Sequence, residues 1–143
     1  MNQRVVDRFT IDDSRWPFVI FRIPPESPDA VVVEMMARMG AVLERGRCAF
    51  VYDVPQFVMP NPRQRRLLVD GLRAARARHP NHIVCNAVAT RLGPMMTGMI
   101  TAVSWLMAAS EPTRVFQSVD DAVAWAQGML IRPELERTTE HRY

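Results

Sequence analysis

Lysine is missing from this chain: all 18 of its basic side chains are arginine, set against 15 acidic ones for a net charge of +3. That balance points toward anionic partners, because arginine grips carboxylate and phosphate through two parallel N–H donors. A wholesale preference for arginine also arises from codon usage, so by itself it assigns no role. Cysteine is scarce, with two in 143 residues. Cys48 and Cys85 each sit inside an apolar run, where a small buried hydrophobe is the usual identity. A disulfide framework is therefore not expected, and two thiols without converging histidines make no zinc site. Also missing are G-x-S-x-G, the P-loop and G-x-G-x-x-G. No catalytic residue, metal or cofactor is assigned, and an enzyme ranks below a binding module. A charged-then-apolar leader is absent, since Arg4, Asp7 and Arg8 interrupt the first apolar residues, and the expected location is cytoplasmic. The uncharged run Leu92 to Ser110 approaches the length of a membrane span, but Gly93, Pro94, Thr97, Gly98, Thr101 and Ser104 argue against one.

What is present is an ordinary globular composition, 48% apolar and 23% charged, in a chain long enough for one hydrophobic core. Val5 to Ile11 and Phe18 to Ile23 are β-branched and aromatic runs separated by turn residues, and they predict a hairpin. Ser27-Pro28-Asp29 predicts a capped helix start, with Val32, Met35, Met36, Met39, Val42 and Leu43 on its apolar face and Gly46 past its end. Cys48 to Val54 and His82 to Ala89 are near-continuous apolar runs, the pattern of strands covered on both faces. Between them Asn61-Pro62 opens a second helix to about Arg78. A third helix is predicted from Pro94 to about Ala109. Thr113 to Gln117 forms a last strand, and Ser118 to Asp121 resembles a capping box before a final helix carrying Ala122, Val123, Trp125, Ala126, Met129 and Leu130.

The order β-β-α-β-α-β-α-β-α predicts an α/β fold: a mostly parallel or mixed sheet of four to five strands with about four helices. It comprises a single domain over residues 1–132, with Pro133 to Tyr143 as a polar tail.

That order, together with the segment Thr113-Arg114-Val115-Phe116-Gln117-Ser118-Val119-Asp120-Asp121-Ala122-Val123-Ala124-Trp125-Ala126, resembles the STAS-like domains related to anti-sigma factor antagonists. The resemblance implies a regulatory scaffold for protein contacts and, in some branches, for small or lipidic ligands. Signalling members carry a phosphorylated serine in the loop after the second core strand. The matching loop here, Asp53-Val54-Pro55-Gln56-Phe57-Val58-Met59-Pro60-Asn61-Pro62, has no Ser, Thr or Tyr, so the phosphoserine switch is not carried over.

Three places compete for function. On the helix predicted from Pro94, the residues Met95, Met96, Met99, Ile100, Val103, Trp105, Leu106 and Met107 spread over a broad arc, and the opposite side is small and uncharged. Such a helix is covered twice or lies at an interface, so homodimerisation, a protein partner or an apolar or amphipathic ligand would each supply the second cover; plain core packing is the competing explanation. The helix opened by Asn61-Pro62 carries Arg63, Arg65, Arg66, Arg73, Arg76 and Arg78 against Asp70. It reads as an anion-binding or merely solvated face, without the aromatics that would favour nucleic acid. Ligands of parallel sheets gather beyond the carboxyl ends of strands, which nominates Asp53, Phe57, Met59, Asn61, Thr90 and Arg91. For Asp53 the alternative is a carboxylate that merely satisfies loop amides. His82 and Cys85, an odd number apart, should face opposite sides of their strand.

Overall fold

The structure, a computed structural model, describes residues 9–24, 28–54, 60–90 and 111–131. The Leu- and Met-rich helix predicted from Pro94, the C-terminal tail, and Phe57, Met59 and Arg91 lie outside those residues. Five strands, β1 (Thr10–Asp12), β2 (Phe18–Arg22), β3 (Cys48–Asp53), β4 (Ile83–Ala89) and β5 (Thr113–Phe116), stand side by side in chain order. β1 runs antiparallel to β2, and every later pairing is parallel, so the sheet is mixed. Three helices are described: α1 (Asp29–Leu43), α2 (Pro62–Arg78) and α3 (Val119–Ile131). The α/β class therefore holds; the residues for which the fourth helix was expected lie outside the described ones.

α1 and α2 pack on each other over one face of the sheet, and α3 lies against β3, β4 and β5 on the other. Parallel crossovers are right-handed as a rule, so two in succession along β2-β3-β4 place their helices on one side, which accounts for the pairing of α1 with α2. The core divides accordingly. Val19, Phe21, Cys48, Phe50 and Ile83 meet Met39, Leu43, Leu72 and Ala75 of α1 and α2. Ile20, Ala49, Val51, Cys85, Ala87 and Ala89 meet Ala122, Val123, Ala126 and Met129 of α3.

Local chemistry explains most boundaries. At α2 the Asn61 side chain accepts from the Gln64 N–H at 2.8 Å, and the Gln64 side chain faces back to the Asn61 N–H at 3.4 Å, a reciprocal cap with Pro62 in the first turn. Ser118 Oγ accepts from the Asp121 N–H at 3.1 Å at the start of α3. α1 departs from expectation: Pro28 occupies the cap position itself with extended backbone, and no side chain caps the helix. Gly46 follows α1 at φ +129°, a conformation open to glycine.

β4 carries an irregularity that simple alternation misses. Cys48 pairs with Ile83 but Phe50 with Asn86, so two steps along β3 match three along β4. The extra residue is a bulge, uncommon between parallel strands. It leaves both Val84 and Cys85 in the α3-side core and returns Asn86 to the face shared by Phe50.

Candidate functional site

The carboxyl ends of β3 and β4 bring together two of the nominated residues, Asp53 and Thr90, with Arg22 beside them at the end of β2. Arg22 and Asp53 are register partners, and their side chains meet at 3.5 Å (Nε to Oδ2). With 56% and 27% of the two side chains exposed, this is a loose surface pair. Asp53 thus faces a guanidinium, whereas the sequence offered loop amides as its partner; its backbone carbonyl accepts from the Ile23 N–H. Thr90 is buried, and its N–H donates to the Phe116 carbonyl at 2.8 Å, extending the β4–β5 ladder past the strand end. Asn61 is engaged in the α2 cap. Beside these ends, Val54 and Val88 form a small cluster with Ile23, Tyr52 and Val115.

A polar cluster that the sequence did not reveal lies under α2. Arg76 grips the Glu111 carboxylate with two N–H donors, Nε at 2.8 Å and a terminal nitrogen at 3.0 Å. The Asn86 amide donates to the same carboxylate at 3.1 Å and stands 3.5 Å from the Thr113 hydroxyl. Thr113 Oγ donates to the Glu111 carbonyl, and the Tyr52 hydroxyl donates to the Asn86 amide oxygen at 3.4 Å. Burial first, and then the nearby Glu111 charge, push the Tyr52 hydroxyl above its ordinary range, so it stays a neutral donor. These groups come from α2, β3, β4, β5 and the approach to β5, 25 to 35 residues apart for the side-chain bonds of Tyr52, Arg76 and Asn86 to their main partners. The one sequence signal was a lone amide, Asn86, within an otherwise apolar seven-residue strand.

Arg76 therefore does not belong to the outer face of α2 on which the sequence placed it. Arg63 is also engaged, by Asp29 at 3.2 Å. What the helix presents outward is Arg66, Arg73 and Arg78 around the exposed Asp70, a weaker cationic face than the residue count implied.

The remaining chemical groups are held quietly. Cys48 and Cys85 belong to cores on opposite faces of the sheet, and burial raises each thiol from 9.0 to about 12. Neither is a thiolate nucleophile near neutral pH. The His79 and His82 rings stack at 5.3 Å, and His82 Nδ1 donates to the Leu43 carbonyl at 2.7 Å. His82 thus serves the α1 side while Cys85 lies on the α3 side, as expected, although the bulge and not plain alternation governs this strand. Among the described residues no three His, Cys, Asp or Glu side chains converge as a metal site, and no helix is long and apolar enough to cross a membrane. Comparison of the sequence with protein-family models returns no match, and no curated protein or solved structure matches significantly.

Proposed function

We propose that the chain is a non-enzymatic regulatory or adaptor domain of STAS-like organisation that acts by protein contact, without a phosphoserine switch. The observation that carries the reading is the arrangement of residues 113–126, the segment on which the resemblance rests. Thr113–Phe116 is a strand, Ser118 caps the turn, and the following helix turns Trp125 onto Phe116 with ring centroids 5.6 Å apart. The sequential strand order with one antiparallel strand at its edge is in keeping with it. The contact surface assigned to this role is the uncharged stretch holding Met95, Met96, Met99, Ile100, Val103, Trp105, Leu106 and Met107, and that assignment rests on the sequence.

Size-exclusion chromatography with light scattering on the wild type and on Met99→Arg tests it. The wild type is expected to associate and the variant to remain a folded monomer. A wild-type monomer that the charge leaves unchanged would overturn the reading.

A carrier or sensor of an apolar or amphipathic small molecule is the second reading. It is favoured by the small, largely buried apolar cluster of Ile23, Tyr52, Val54, Val88 and Val115, which lies beside the Arg22–Asp53 pair at the carboxyl ends of the strands, where ligands of parallel sheets gather.

A further inference from the structure

We propose that Asn86 is the positioning residue that selects the pairing register of β4, and with it the bulge that sets where the carboxyl end of the strand lies. β4 reads Ile-Val-Cys-Asn-Ala-Val-Ala, and all seven residues are buried. A strand covered on both faces cannot choose its register by apolar alternation, because a one-residue slip exchanges one set of small apolar side chains for another. Cys85, Ala87 and Ala89 on the α3 side and Val88 on the α2 side are near-interchangeable in that sense. Asn86 is the exception. In the observed register its amide reaches the Glu111 carboxylate, which Arg76 holds from the other side, and its carbonyl oxygen receives the Tyr52 hydroxyl.

Removing the bulge would pair Cys85 with Phe50 and Asn86 with Val51. Asn86 would then point into the core formed by Val51, Ala122, Val123 and Ala126, an apolar surround that leaves an amide without the carboxylate and phenol that now satisfy it. The polar cluster thus penalises the slipped pairing, and the bulge between Cys48 and Phe50 is the accommodation that brings Asn86 to the correct face. A single buried polar residue that fixes register is the best-attested use of such groups. The consequence reaches the candidate site. A slip would move Thr90 and the end of β4 by one residue, about 3.3 Å, relative to Asp53.

The test is NMR on the isotopically labelled full chain, reading cross-strand NOEs from Phe50. For Asn86→Val, a second set of β4 and β5 amide signals is expected, in which Phe50 contacts residue 85 and not residue 86. A single set with Phe50 still opposite residue 86 overturns the proposal. So does a failure to fold, which would make Asn86 a stabilising residue and not a selecting one. The paired exchange Cys85→Asn/Asn86→Cys keeps the strand composition and moves the amide by one place. The register is expected to follow it, placing residue 85 opposite Phe50. Retention of the bulged pairing, or loss of the fold, in this second variant counts equally against the proposal.

Discussion

Cutting the link between α2 and β5 at Arg76 should destabilise the whole domain, and by an amount that depends on which partner is removed. In Arg76→Met the stem keeps its packing but the guanidinium is gone. Glu111, whose side chain is 10% exposed, then loses the two-pronged grip and keeps the Asn86 amide, at 3.1 Å, among its partners. Breaking a fully buried pair by deleting one partner costs about 3–5 kcal/mol. Arg76 is 21% exposed, so water screens part of that, and about 2–3 kcal/mol is expected. At about 3 °C for each kcal/mol in a domain of this size, the melting temperature should fall by roughly 6–9 °C. Glu111→Gln should cost less, about 1–2 kcal/mol, because the amide preserves the shape and one acceptor while Arg76 can reach solvent. The double variant Arg76→Met/Glu111→Leu should recover part of the Arg76→Met loss, since an apolar pair replaces an ion pair without stranding a charge, with about 1–2 kcal/mol remaining because the buried Asn86 amide loses its carboxylate acceptor. Urea unfolding at pH 7 provides the assay, and Glu111→Leu measured alone closes the double-mutant cycle with the wild type, Arg76→Met and the double variant. Single losses below about 0.5 kcal/mol that simply add would mark an ordinary exposed pair and refute the assignment of a buried polar strut.

Further outcomes follow from the same contacts. Because burial raises both thiols from 9.0 to about 12, the native state keeps protons that the unfolded chain sheds. Stability should be fully present below pH 9 and fall above it, with a limiting slope of about 1.4 kcal/mol per pH unit for each thiol. Urea midpoints from pH 7 to 10 should show the decline and Cys48→Ala/Cys85→Ala should flatten it over that range, below the onset of the contribution from the likewise raised Tyr52 hydroxyl, whereas an unchanged slope would place its origin elsewhere. Asn61→Ala removes the reciprocal cap of α2 and should cost about 1 kcal/mol, with faster amide exchange confined to the first turn of that helix. Gly71→Ala would set a Cβ 2.6 Å from Met36 Cγ at the α1–α2 crossing. A loss of about 1–2 kcal/mol is expected, partly recovered when Met36→Ala is added, and no recovery would locate the strain in the helix itself.

The elements were legible where the signal is local. Asn61-Pro62 marked the start of α2, and the unbroken apolar runs located β3 and β4, because capping and burial are written within a few residues; the reciprocal Gln64 contact went unread. The α1 start was misplaced by one residue, since Pro28 suits both the cap and the first turn and no neighbouring hydrogen bond decides between them. The bulge in β4 was not legible, because parity is uninformative where both faces are apolar. The polar cluster was invisible for a different reason. Arg76 looks like one more solvated arginine on a helix of six, and only the fold brings Glu111 and Asn86 to it across 35 and 10 residues of sequence. Of the strand-end residues, Asp53 and Thr90 do lie on neighbouring strand ends, while the role of Asn61 is absorbed by its helix.

Native mass spectrometry of the full chain purified from its own host separates contact from cargo most directly. A domain that works by protein contact should fly without a small molecule, in multiples of 16.3 kDa or with a protein partner. A small molecule retained in stoichiometric amount through buffer exchange, and lost on unfolding, would contradict that reading and make the chain a carrier.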